Sequence, residues 1–240
     1  MRAYALTHVG NVRSANEDAF YLPLPGEQFA AVADGMGGHL AGEVASGMAI
    51  RAFTEFLRNH TVNEETLHSA VTSANAEIHQ AARRDPLKHG MGTTLTALYL
   101  QEDTAYLTHV GDSRAYLLRK KALMQLSNDH SLVNELVEKG ELSPLEAATH
   151  PQRNIITRAL GTNKKVEPDI IRLDYQAGDV WLLCTDGLSN YLRTPEIAEI
   201  LLQSGTWNDK LQSMVQLALN RGGSDNITAL IALGEGDDHA

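Results

Sequence analysis

The order of its segments predicts that this chain is α+β. The expected fold is a four-layer α-β-β-α sandwich, two antiparallel sheets flanked by helix pairs, with a helical flap insertion. Three observations predict it. Strand-like and helix-like runs are grouped rather than alternating, which argues against a parallel βαβ sheet. The long helical patterns come in two pairs, each helix with one apolar stripe to lay on a sheet. The run "TAYLTHV" (104–110) has no fully polar face, which suits a sheet covered on both sides.

The elements follow in order. "RAYALTHV" (2–9), "AFYL" (19–22) and "FAAVA" (29–33) read as strands. Ala45, Ala49, Ala52, Phe53 and Phe56 then recur at helical spacing. Leu67, Val71, Ala74, Ile78 and Ala81 do the same, with Asn63 as N-cap. "TTLTALYL" (93–100), "TAYLTHV" and "RAYLLRK" (114–120) are separated by the short turns "QED" and "GDS", so they read as an antiparallel meander. Residues 127–161 break the rhythm. Ser131 starts a short helix that Gly140 stops, and Ser143, Pro144 and Glu146 form the capping box of a second. Strands resume at "VEPDIIRL" and "DVWLLC". Helices follow at Pro195–Ser204 and Trp207–Asn220, and "NITALIAL" is the last strand. The 240 residues fit one domain, with the flap at 127–161 and a frayed acidic tail at 234–240.

Composition excludes several roles. The net charge of −10 argues against nucleic acid or an anionic membrane as partner. No apolar stretch approaches the ~20 residues of a membrane span. The N-terminus is too short and polar for a signal peptide. Cys184 is the only cysteine and lies in the apolar run "VWLLC", so it reads as a core residue rather than a nucleophile. These features indicate the cytoplasm.

The chemistry lies in the placing of aspartates. Asp34 ends "FAAVA", Asp112 ends "AYLTHVG", and Asp186 ends "VWLLCT". Asp225 begins the final strand, and Asp18 opens another. Acids at strand ends of one sandwich can converge on one rim. There they repel unless protonated or bridged by cations. An all-oxygen set selects Mg2+ or Mn2+ over zinc or copper. A glycine after the acid, as at Gly35, lets its carbonyl turn inward as a further ligand. Paired metals activate water and stabilise in-line displacement at phosphorus. Arg13, just before Asp18, has the planar fork that suits phosphate. "GMGGHLAG" is not a dinucleotide fingerprint, and no phosphate loop of the G-x-x-x-x-G-K type occurs.

These residues resemble the metal-dependent serine/threonine protein phosphatases of the PPM (type 2C) class in their bacterial form. The resemblance rests on "RSANEDAF", "VADGMGGHLAGEVAS", "GMGTTL", "HVGDSRAYLL", "DHSLVNELV", "HPQRNIITRALG", "LLCTDGLSN" and "GGSDNIT", in the family's order along nearly the whole chain. It implies a single catalytic domain that hydrolyses phosphoserine and phosphothreonine in proteins, through attack by a metal-bridging hydroxide with no phosphoenzyme. It implies at least two Mn2+ or Mg2+ ions. Asp34 would bridge them, Gly35 would offer its carbonyl, and Asp186 and Asp225 would complete the ligands. Asp18 would act through metal-bound waters, and Asp112 with Asp186 would hold a third ion. Arg13 would grip the phosphate, and Asn226 would orient water. His39 would be the general acid; it lies five residues past Asp34, where many eukaryotic relatives have histidine directly after Asp-Gly. Phosphoprotein substrates and a cognate serine/threonine kinase are the implied partners of a monomer. The rival readings are a catalytically weak phosphoprotein-binding module on the same fold and a metal phosphodiesterase.

Overall fold

Two antiparallel sheets stack face to face, and a helix pair packs on the outer face of each. The computed structural model describes residues 1–37 and 41–234. One sheet runs β1 (Arg2–His8), β11 (Ile227–Leu233), β10 (Val180–Cys184), β7 (Arg114–Arg119), β8 (Ala122–Gln125). The other runs β2 (Asp18–Tyr21), β3 (Phe29–Met36), β5 (Leu95–Gln101), β6 (Thr104–Val110), β9 (Asp169–Asp174), with β4 (Gly92–Thr93) paired to the end of β3. Helices α1 (Ala41–Arg58) and α2 (Glu64–Arg84) cover the second sheet. Helices α6 (Thr194–Leu202) and α7 (Trp207–Asn220) cover the first. The layers are therefore α-β-β-α, as the grouping of elements implied.

The strand period explains the packing. In β10, Trp181 and Leu183 point between the sheets with Val32, Leu98, Leu107 and Leu230. Leu182 and Cys184 point outward to Leu211 and Met214 of α7. On the far side, Ala31 and Ala33 of β3 meet Phe53, Leu67 and Ile78 of α1 and α2. Asn63 caps α2 by accepting the Thr66 N–H at 2.8 Å.

The flap region carries α3 (Leu132–Glu138) and α4 (Pro144–Thr149). The Ser131 hydroxyl accepts the Asn134 N–H, and Ser143 and Glu146 close a reciprocal capping box. Gly140 adopts φ +75, a left-handed stop that glycine takes without strain.

Four expectations need correction. The three strands from 93 to 120 are not one meander. β5 and β6 pair antiparallel, but β7 joins the other sheet beside β10. Gly111 makes the crossing at φ +113, so "GDS" is a switch between sheets rather than a hairpin turn. The run at 93–100 is also split, because Thr94 leaves the ladder to bond the backbone of Asp34. β3 does not stop at Ala33 but continues through Asp34 and Gly35 to Met36, which β4 extends by pairing. Three short elements escaped the reading: β8, the single turn α5 (Asp186–Ser189), and a 3-10 turn at Pro86–Lys88.

Candidate active site

Five aspartates arrive from five separate segments and meet at one end of the sandwich. Asp18 opens β2, and Asp34 lies within β3 directly opposite it. Asp112 sits in the crossing from β6 to β7. Asp186 begins α5, two residues after β10, and Asp225 precedes β11 by two. The field at Asp34 contains the charges of Asp18, Asp186, Asp112 and Asp225 together.

Their protonation equilibria record the crowding. Burial, and then the neighbouring carboxylates, hold Asp34 well above the usual carboxylate range. Burial lifts Asp186 to about 6, with Asp225 adding repulsion. Asp18 rises to about 7, again chiefly by burial and despite two hydroxyl donors. Asp112 is 8% exposed. Burial and the charge of Asp186 lift it to about 8. Such a set is stable at neutral pH only if protons or cations are shared among its members.

Hydrogen bonds from neighbouring segments place four of the five acids. The Asp34 N–H donates to Thr94 Oγ1 at 2.9 Å. The Asp34 carbonyl accepts from both Thr94 N–H and Thr93 Oγ1. Asp18 Oδ2 accepts from Thr185 Oγ1 at 2.9 Å and Thr228 Oγ1 at 2.6 Å. Asn190 Nδ2 donates to Asp186 Oδ2 at 3.1 Å. Asp225 Oδ2 accepts from Arg13 at 2.7 Å. Arg13 is thus brought to the cluster, half-exposed, with one edge of its fork on a carboxylate.

The glycines of the two Asp-Gly pairs serve close approach. Neither has a positive φ. A Cβ on Gly35 would stand 2.2 Å from the Gly42 carbonyl oxygen, and one on Gly187 would stand 1.9 Å from that of Asn226. Each absent side chain lets another segment's backbone press against the acid-bearing turn.

The donor set fits a hard divalent cation. Asp18 Oδ1 and Asp112 Oδ1 are buried and make no hydrogen bond among the described residues. A buried carboxylate oxygen without a partner is costly and calls for a positive ligand. All the side-chain donors are carboxylate oxygens, the chemistry of Mg2+ and Mn2+. Among the described residues no three His, Cys, Asp or Glu side chains already stand at closed-shell spacing.

Asn226 is tied to the loop of residues 9–17. Its Oδ1 accepts the Glu17 N–H at 2.7 Å, and its Nδ2 donates to the carbonyls of Val9 and Ala15 at 2.9 Å each. The amide thus anchors the loop that carries Arg13. His39 lies outside the described residues. Cys184 is fully buried, and burial pushes its thiol up to about 12, as befits a core residue.

Sequence reasoning passed over several members. Glu17 lies beside Arg13 and Gly42, and its carboxylate accepts the Gly42 N–H at the start of α1. Its adjacency to Asp18 was the available signal. Thr94, Thr185 and Thr228 carry no sign of their role, because threonine in or beside a strand-like run normally reports only β-propensity. Beyond the cluster, a cavity of about 450 Å3 opens between the flap and the α5–α6 region. Its lining includes Asp112, Asp186, Asn134, Arg153, Asn190 and Arg193.

Comparison with known proteins agrees with this architecture. The profile described as Protein phosphatase 2C matches residues 10–231. Protein phosphatase PhpP of Streptococcus pneumoniae is 41% identical over 99% of this chain and 99% of its own. The crystal structure of the Mycobacterium tuberculosis serine/threonine phosphatase PstP/Ppp superposes with a TM-score of 0.90 at 40% identity, covering 98% of this chain and 99% of that one. A crystal structure of the catalytic domain of PstP in complex with two manganese ions reaches 0.85 at 38% identity, covering 96% of each chain. A profile match along nearly the whole chain, together with a shared fold, establishes that this protein belongs to the protein phosphatase 2C family.

Proposed function

We propose that this chain hydrolyses phosphoserine and phosphothreonine in proteins with Mn2+ or Mg2+ held at the carboxylate cluster. Relatives near 40% identity over nearly its full length are named serine/threonine phosphatases. The observation that carries the reading is the pair of buried oxygens, Asp18 Oδ1 and Asp112 Oδ1, left unpartnered inside a cluster of like charge.

Asp34, Asp186, Asp225 and the Gly35 carbonyl would hold two ions, and Asp112 with Asp186 a third. Asp18, with Oδ2 committed to two hydroxyls, would act through water. When bound, such ions lower the pKa of water and neutralise charge that develops at phosphorus. Arg13 binds the non-reacting phosphate oxygens with the N–H groups that Asp225 leaves open. Asn226 and Glu17 keep the Arg13 loop in place. The flap-side cavity receives the peptide on either side of the phosphoresidue. His39 donates the proton to the leaving oxygen, and a serine/threonine kinase supplies the phosphoproteins to a monomeric enzyme. Among the described residues no helix is long and apolar enough to cross a membrane.

The deciding assay compares phosphate release from a phosphopeptide and from a phosphodiester, with Mn2+ and with chelator. Metal-dependent release from the monoester alone is expected, and Asp34→Asn or Asp186→Asn abolishes it. Peptide binding without release would indicate a binding module, and diester cleavage a phosphodiesterase. A trapped phosphoenzyme would contradict direct hydrolysis. For His39, substitution by alanine should slow the phosphopeptide far more than an aryl phosphate, whose leaving group needs no proton. Equal losses on both would remove the acid role.

A further inference from the structure

We propose that His130 is a positioning residue that aims Asp112 by clamping the backbone of Gly111. The His130 N–H donates to the Gly111 carbonyl at 2.8 Å. Its ring Nδ1 accepts the Gly111 N–H at 3.0 Å. A single residue at the root of the flap thus holds both polar backbone groups of the residue before Asp112. No other side chain aims Asp112 Oδ1, which has no hydrogen bond among the described residues. Its direction is inherited from the backbone.

The far side of the ring fixes its state. A nitrogen that accepts an N–H carries no proton, so the ring proton must sit on Nε2. There Asp169 Oδ2 receives it at 3.1 Å, and Arg158 holds Asp169 Oδ1 at 2.7 Å. His130 is 6% exposed, so water does not compete for either nitrogen. Its carbonyl also accepts the Thr157 N–H at 2.8 Å, which joins the outgoing and returning limbs of the flap at this residue.

The clamp reaches Asp34 as well. Gly111 packs so tightly on Thr94 that a Cβ would stand 2.4 Å from its methyl carbon. The Thr94 hydroxyl oxygen is the acceptor for the Asp34 N–H. Pressing Gly111 into place therefore seats the partner of a second acid. Partners of this kind typically change metal affinity or activity by about tenfold to a hundredfold when lost. The inference rests on the reading of Asp112 as a metal ligand.

Two variants divide the ring's functions. In His130→Asn the amide oxygen replaces Nδ1 as acceptor and the donor to Asp169 is lost. In His130→Gln the amide nitrogen replaces the Nε2 donor and the acceptor for Gly111 is lost. Calorimetric Mn2+ titration should show the tightest binding weakened about tenfold or more in the Gln variant and near parental in the Asn variant. Amide hydrogen exchange at Gly111 should accelerate in the Gln variant alone. Equal losses in both variants, or none in either, would overturn the clamp. Nitrogen NMR of the parent supplies a readout independent of folding defects: a proton on Nδ1 would also overturn it. If the parent binds no Mn2+, the metal reading fails, while the tautomer and exchange data still judge the clamp.

Discussion

Asp18 and Asp34 face each other directly across antiparallel strands β2 and β3, so both carboxyls leave the sheet on the same side. A like-charged cross-strand pair is destabilising, and burial sharpens the cost here, with Asp18 lifted to about 7. Asp18→Asn removes one charge and keeps an oxygen for Thr185 and Thr228. In chelator, this variant should unfold at a higher temperature than the parent. About 1 kcal/mol is expected, which is roughly 2–4 °C for a chain of this size. The increase in Tm produced by Mn2+ should shrink in the same variant. A lower Tm in chelator would show that the hydroxyl contacts, not the repulsion, dominate at Asp18.

Gly187 and Gly47 predict opposite responses to one methyl group. A Cβ at Gly187 would meet the Asn226 carbonyl oxygen at 1.9 Å, whereas Gly47, on the outer side of α1, has nothing within 4 Å. Gly187→Ala should destabilise by about 1–3 kcal/mol and displace Asp186 with its turn. Gly47→Ala should stabilise by roughly 0.5–1 kcal/mol through helix propensity, with activity unchanged. Urea unfolding of both variants, with turnover measured alongside, checks the pair.

This contrast shows where the sequence could be read and where it could not. Segment grouping and apolar period revealed the layers, because burial imposes its period residue by residue. The aspartates were legible because an acid closing an apolar run has no place in a core. The reason for Gly35 and Gly187 was not legible, since the Gly42 and Asn226 carbonyls that exclude a side chain lie far along the chain. The meander failed for the same reason. A short polar turn looks alike whether the next strand pairs back or crosses to the opposite sheet, and only the pairing of β7 with β10 separates the two. The three backbone partners of Asn226 were equally hidden, since they lie on a loop more than two hundred residues away in sequence.

His109 gives a pH dependence of definite sign. It is fully buried between Thr96 Oγ1 at Nδ1 and the Asn128 carbonyl at Nε2, at 2.9 and 3.0 Å. The carbonyl can only accept, so Nε2 carries the proton and Nδ1 is the acceptor. Burial, and then His130, lower its pKa from 6.5 to about 3. Between those values the unfolded chain binds a proton that the folded one refuses, so stability falls as pH drops from 6.5 toward 3. His109→Gln should flatten this part of the curve relative to the parent, although it costs about 1–3 kcal/mol at neutral pH through imperfect bonding. Tm measured against pH for both proteins tests it, and parallel curves would show that His109 does not titrate in this way.

Arg13 has two claims on its guanidinium: Asp225, already at 2.7 Å, and the phosphate of an incoming substrate. With half of the side chain exposed, most of its N–H groups remain open to an anion. If it grips phosphate, Arg13→Ala should lower kcat/KM for a phosphopeptide by about tenfold to a hundredfold, the range for a lost charge-assisted hydrogen bond. Arg13→Lys should fall between, since the charge stays and the fork goes. If instead Arg13 only neutralises Asp225, the loss should appear in the Mn2+ dependence and vanish at saturating metal. The phosphate role therefore requires that the deficit of Arg13→Ala persist at high Mn2+ and be larger for the phosphopeptide than for Mn2+ binding itself.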